Sequence, residues 1–364
     1  MEIRTHITAI CAIILLSIAS STQAQDKQLT LNDAVLNRNL RPQRLSQMGW
    51  VKGTNTAFYV HPDQRNKLVF YNVDAKTTDT TFDFKSFANS AAGGVGDTLK
   101  RLPRITFEDE NTMSFLHKKV EYHYNLVTKT ATKFMTFPSV QAMDFHRNSQ
   151  NLAYVKDDNI YVKHLDEEAS QLTTDGGKGI VYGQAVHRNE FGIMGGLFWS
   201  ENGANLAFYR MDESMVTDYP IYNLKDTPAS MQNIKYPVAG AKSHHVTVGV
   251  YNVKNGSTVY LKTGGDPESY LTNIAWTPDE KNVLIARLNR GQNKMELEEY
   301  NGTTGKKVKT HFKETNSRYV EPENPALYQK GAEEGCYYWQ SERDGYNHIY
   351  LYKNGKLKKQ ITKG

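Results

Sequence analysis

Between Val181 and Tyr219 the chain sets His187-Arg188-Asn189-Glu190 in a glycine-punctuated stretch, just ahead of two apolar runs. Phe198-Trp199, the polar turn Ser200-Glu201-Asn202-Gly203 and Leu206-Ala207-Phe208-Tyr209 read as an antiparallel strand pair. Polar groups carried on an irregular segment by a rigid sheet are a common recognition layout. The Glu190 carboxylate could accept charge-assisted hydrogen bonds from a cationic ligand. It could equally be a solvated partner of Arg188, contributing little. Residue types and spacing leave both readings open.

Other constellations point to less. His187-x-x-Glu190 lacks the second histidine and the helix of a zinc peptidase. His244 and His245 are strand neighbours, so they face opposite ways and cannot chelate one ion together. Ala92-Gly93-Gly94-Val95-Gly96-Asp97 lacks the Gly-Lys-Ser/Thr of a phosphate loop and reads as a flexible connection between sheets. Asp212 and Glu213 follow Arg210 at a strand end, where turn formation is the favoured role. No Gly-x-Ser-x-Gly nucleophile elbow occurs, nor the strand–helix alternation of a hydrolase sheet. Neither a metal nor a cofactor is expected, and no catalytic residue is assigned.

The elements that would position Glu190 form a loose repeat: an aromatic residue, a polar turn, then an apolar strand. It occurs at Trp50 with Ala57–Val60, Phe145 with Leu152–Val155, Trp199 with Leu206–Tyr209, and Trp276 with Val283–Ala286. Further strand units fit at Ile105–Phe134 and Gly335–Ile361. Short antiparallel strands in irregular repeats predict an all-β propeller of about six blades. Asn255-Gly256 and Asn301-Gly302 predict hairpin turns. The long interval holding Tyr219-Pro220 and Asp226–Ala241 predicts an insertion in one blade, of the kind that is functional or interfacial. Leu29, Leu31, Val35, Leu36 and Leu40 suggest a short N-terminal helix starting near Thr30 or Asn32 and ended by Pro42.

Residues 1–24 read as a signal peptide, with a charged start, an apolar run Ile7–Ala19 and small residues before Gln25. The mature chain, 25–364, is then expected to be exported, periplasmic or secreted, with no membrane span after cleavage. Cys11 and Cys336 are the two cysteines of the full sequence, and cleavage removes the first, so packing rather than a disulfide must hold the fold. A net charge of +5 with scattered lysines supplies no clustered basic face, which argues against nucleic acid.

Several longer motifs carry a family resemblance. Tyr182-Gly183-Gln184, His187–Gly192, Phe198-Trp199-Ser200, Ala207–Glu213, Tyr236–Ala241, Ser243–Val250 and Ser341–Tyr350 resemble, in order, the N-terminal propeller of the dipeptidyl peptidase IV family. Within it, the chain is most similar to the prolyl tripeptidyl peptidases of Bacteroidetes. The resemblance implies about six blades of an eight-bladed propeller, apparently incomplete. It also implies a C-terminal α/β-hydrolase domain, absent here, that carries a Ser-Asp-His triad. The implied role is substrate recognition and gating in an exported serine exopeptidase. That enzyme would release proline-containing di- or tripeptides from peptides with a free N-terminus, and homodimerisation is common in the family. Glu190 matches by position the glutamate that receives the substrate ammonium. Its neighbours Gln184 and Asn189 are neutral, and a single acid fits the tripeptide-releasing branch. The family's propeller arginine finds only Lys118 and Lys119 in its region, so that role is not transferred. The alternative is a non-catalytic secreted binding propeller, since fold alone does not fix function.

Overall fold

The computed structural model describes residues 29–37, 45–80, 82–95, 99–165, 167–329 and 333–364. The expected leader and Pro42 lie outside them. Two compact units follow in the chain, residues 1–137 and 138–364.

The first unit opens on a one-turn helix α1 (Leu31–Val35), capped by Thr30 and Asp33 in a reciprocal capping box. Its first sheet is β1 (Met48–Trp50), β2 (Thr56–Val60), β3 (Leu68–Asn72) and β4 (Thr77–Asp79), paired in chain order. Its second is β5 (Ile105–Phe107), β6 (Thr112–His117), β7 (Val120–Asn125) and β8 (Thr130–Thr136), again in chain order. Between them runs a helix not foreseen, α2 (Phe84–Val95). The stretch expected to be a flexible connection at Ala92–Val95 is its last turn, while Gly96 and Asp97 lie outside the described residues. The glycine pair hid it, because two glycines lower helix propensity by about 1 kcal/mol each. Burial of its other face compensates: Phe87 is fully buried against Phe115 and Tyr124, with ring centroids 5.3 and 4.8 Å away.

The second unit carries four more blade sheets and one separate two-stranded hairpin among the described residues. One is β9 (Ala142–His146), β10 (Asn151–Lys156), β11 (Asn159–His164) and β12 (Ser170–Gln171). The next joins β13 (Ile180–Tyr182) and β14 (Leu197–Trp199) to β15 (Asn205–Asp212). The chain then leaves through the separate hairpin β16 (Asp218–Asn223) and β17 (Ser230–Lys235), the predicted insertion. It returns as β18 (His245–Asn252) and β19 (Thr258–Tyr260). The last two sheets are β20 (Tyr270–Trp276), β21 (Asn282–Leu288), β22 (Lys294–Asn301) and β23 (Lys307–Thr315), then β24 (Cys336–Ser341), β25 (His348–Lys353) and β26 (Lys356–Gln360). The chain is thus all-β and propeller-type, with two blades in the first unit and four in the second, and few helices among the described residues.

Central strands read as unbroken apolar runs because both of their faces are covered. On β15, Ala207 and Tyr209 join a core with Val283 and Ile285, while Leu206 and Phe208 face Ala153, Val155 and Ile160 on the other side. On β21, Leu284 and Ala286 in turn meet Tyr337 and Trp339. Period-two alternation therefore divides each central strand between two neighbouring blades. A fully buried Leu or Ile at such a position contributes about 1.5–3 kcal/mol.

The aromatic-and-turn repeat stitches successive blades. The Trp199 indole N–H donates to the Asp144 carbonyl at 3.2 Å, and that of Trp276 to the Phe198 carbonyl at 3.0 Å. Within the turns, Ser200 Oγ donates to Glu280 and Asn151 Nδ2 to the Gly203 carbonyl. Gly203 has φ +69°, and a Cβ there would lie 2.2 Å from Ser149 Oγ, so glycine is required. Both Asn-Gly hairpins exist, but in the second the left-handed residue is Gly305 rather than Gly302. Asn301 instead opens that turn, accepting from the Thr303 and Thr304 amides.

Candidate functional site

The segment from Gly183 to Gly196 links β13 to β14 and carries the residues singled out above. Its backbone is unusual: His187, Arg188, Asn189 and Phe191 have φ of 52°, 56°, 63° and 57°, and Gly192 has 71°. Non-glycine residues in the left-handed region are strained, and they persist only where their surroundings hold them.

Those surroundings are explicit. The Glu190 amide donates to the His187 carbonyl at 3.1 Å, and Ile193 N–H to the Glu190 carbonyl at 3.2 Å. Asn189 Nδ2 donates to the Ile193 carbonyl at 3.2 Å. The Phe191 ring meets the Tyr270 edge at 5.0 Å. A Cβ on Gly192 would sit 1.9 Å from the Glu323 carbonyl oxygen, so the segment is pressed onto the chain leading to β24.

On this braced turn Glu190 is exposed, and its carboxylate has no hydrogen-bond or ion-pair partner among the described residues. Arg188 does not pair with it. The Arg188 guanidinium lies over the Tyr236 ring, 5.2 Å from its centre, which places the Tyr-Pro-x-Ala-Gly stretch beside the turn. Gln184 is tied to Asp158 at 3.3 Å.

The neighbouring acids divide. Asp212 closes a turn by accepting from the Ser214 amide and hydroxyl at 3.0 and 2.7 Å. Burial raises its pKa, but those bonds outweigh burial and leave it lowered. Glu213 is half-buried, and burial raises its pKa against the opposing pull of Arg188 and Lys235. No local pattern couples Glu213 to Arg188, and that link appears only once β15 and the turn are folded together.

The two histidines are not neighbours within one strand, because β18 begins at His245 and His244 lies in the chain just before it, where it meets a different partner. It is buried against His187, with His244 Nε2 3.0 Å from His187 Nδ1. Glu108, Glu121 and His123 bring ligand-type atoms within 4.8 Å of one another in the first unit. There Glu121 and His123 bond each other at 3.2 Å, and Ser114 Oγ donates to Glu108 at 2.5 Å, so the group reads as a hydrogen-bonded network.

Comparison with known proteins decides the family. Residues 104–364 match the family model for the dipeptidyl peptidase IV (DPP IV) N-terminal region. The chain belongs to that family. A crystal structure of a Bacteroides ovatus protein assigned as a dipeptidyl aminopeptidase IV is 32% identical, with a TM-score of 0.74 over 87% of this chain and 46% of the other. Porphyromonas gingivalis dipeptidyl peptidase 4 shares the fold at 23% identity and a TM-score of 0.71, over 94% of this chain and 50% of its own. Among curated relatives, the "probable dipeptidyl-aminopeptidase B" of Talaromyces marneffei is 26% identical over 75% of this chain and 34% of its own. The chain therefore spans about a third of that relative's length. This DPP IV N-terminal region presents Glu190 on its fourth blade, between β13 and β14.

Proposed function

We propose that this DPP IV N-terminal region is the substrate-recognition and gating part of an exported serine exopeptidase, periplasmic or secreted. Such an enzyme releases proline-containing di- or tripeptides from peptides with a free N-terminus. A C-terminal α/β-hydrolase domain supplies the nucleophile, and Glu190 receives the substrate ammonium. The observation that carries the reading is an exposed carboxylate, without a partner among the described residues, on a strained and braced turn. An α-amino group has a pKa of about 8 and is largely cationic at neutral pH, so it complements that carboxylate.

The test compares free-amino and N-acetylated peptide substrates on the enzyme carrying the hydrolase domain. Glu190→Gln keeps shape and removes charge, and is expected to lower kcat/KM about tenfold or more for the free-amino peptide only. Equal turnover by Glu190→Gln and the parent on that peptide would falsify the anchor. The competing reading, a non-catalytic binding propeller, is separated by the coding sequence after Gly364: an in-frame Gly-x-Ser-x-Gly followed by Asp and His supports the peptidase, and a stop codon the binding module.

Homodimerisation is proposed through the hairpin β16–β17, which exposes Tyr222, Met231 and, in its turn, Leu224. Sedimentation of the full-length protein should show a concentration-dependent dimer that Tyr222→Lys with Met231→Lys dissolves; an unaltered dimer excludes this surface.

A further inference from the structure

We infer that the buried pair His187–His244 is the positioning device that aims Glu190, an inference that rests on the recognition role proposed above. His187 is engaged through backbone and ring together. Its amide N–H donates to His244 Nε2 at 3.2 Å, and its ring Nε2 accepts from the Leu271 amide on β20 at 3.2 Å. Its Nδ1 lies 3.0 Å from the same His244 Nε2.

These contacts fix the tautomers. Because His187 Nε2 accepts, its proton sits on Nδ1 and is donated to His244 Nε2. His244 Nε2 thus accepts from both the His187 ring and the His187 backbone, and carries its own proton on Nδ1. Both rings are neutral in this arrangement. A cationic His244 would turn that shared acceptor into a donor facing two N–H groups.

The environment favours neutrality. His187 is 3% exposed, with Tyr270 at 4.9 Å edge-on. Burial, then the positive charges of Arg188 and Arg290 and the neighbour His245, lower the His244 pKa to about 4, against a raising pull from Glu268. Burial, His244 and Arg290 lower that of His187.

The consequence for Glu190 is geometric. Left-handed backbone at non-glycine residues of this segment begins at His187, and Glu190 hangs from the His187 carbonyl by its own amide. The ring and amide of His187 are clamped to the chain before β18 and to β20, so the start of the turn cannot rotate. Both histidines are buried, so both act through Glu190.

Two readouts on the full-length protein test this. Long-range proton–nitrogen spectra of histidine-labelled protein, assigned with His187→Gln and His244→Gln, should show both rings neutral and Nδ1-protonated at pH 7. An Nε2-protonated or cationic ring at either position overturns the inference. The second readout is affinity for the peptide Ala-Ala-Pro-Ala against its N-acetyl form. His244→Phe, which removes the acceptor, should weaken the free-amino peptide about tenfold and leave the acetyl form unchanged, while His244→Gln, which restores an acceptor oxygen, should recover discrimination. If Phe and Gln variants weaken both peptides in step with thermal stability, the pair is merely structural and the inference fails. If the parent does not discriminate the peptides, the recognition reading fails by itself. The inference then stands or falls on Glu190 amide exchange, which His244→Phe should accelerate and His244→Gln restore.

Discussion

Around His187 the buried polar groups are neutral; around Glu298, on the next blade, they are charged. The Glu298 carboxylate on β22 receives Arg287 bidentately at 3.0 and 3.0 Å, the Tyr300 hydroxyl at 2.5 Å and Lys307. Burial alone would raise its pKa, but Arg287, Lys307 and Tyr300 hold it at about 2. Desolvation is met there by opposite charge and at His187 by neutral hydrogen bonds. The charged cluster ties β21, β22 and β23 within one sheet. The neutral one ties an irregular segment to the chain before β18 and to β20. The two clusters are thus distinguished by charge state rather than by burial.

The largest effect should come from breaking the charged cluster. Arg287→Met strands a buried carboxylate, a change that typically costs about 3–5 kcal/mol. Lys307 and Tyr300 remain, so the lower end of that range is expected, read by urea denaturation at pH 7. A loss too small to detect would mean that Glu298 is solvated and the contrast is spurious.

Acid should separate the two clusters. Both Glu298 and His244 have depressed folded pKa values, so each contributes stability that is present at higher pH and lost on acidification. For His244 the window runs from the ordinary 6.5 down to about 4. For Glu298 it runs from 4.5 down to about 2. Melting temperature should therefore fall in two stages. His244→Gln should reduce the upper stage, which the buried His187 shares, and Glu298→Gln should flatten the lower. A single stage untouched by His244→Gln would contradict the neutral assignment.

What the sequence disclosed follows from the same physics. The six blades were legible because inter-blade stitches need an aromatic N–H or ring, a tight turn and a doubly covered strand, and all three leave local patterns. The hairpin turns Lys118-Lys119 and Asp157-Asp158 were not read, since both residues adopt positive φ without Asn or Gly to mark them. Helix α2 was masked by Gly93 and Gly94, and its reason for folding, the Phe87 contacts, lies in distant β6 and β7. At the site, Glu190 stood out by motif position. Its brace did not, because His187 and His244 are 57 residues apart and no local signal pairs them.

The smallest expected effect probes the half-buried acid coupled to Arg188. Glu213 is half-buried just past the end of β15, where burial raises its pKa, Arg188 and Lys235 oppose that rise, and Asp158 and Asp218 add to it. Its pKa is raised, so the folded chain disfavours its ionised form, and any stability it contributes belongs to low pH and is lost as pH rises. Glu213→Gln removes that charge at pH 7, and stability should change by no more than about 0.5 kcal/mol, with gain the expected sign. Discrimination between free-amino and acetylated peptides should be unchanged, and likewise for Asp212→Asn, whose carboxylate is occupied by Ser214. Should Glu213→Gln abolish discrimination while Glu190→Gln preserves it, the ammonium site belongs to the half-buried acid. The exposed turn would then be a scaffold for Arg188.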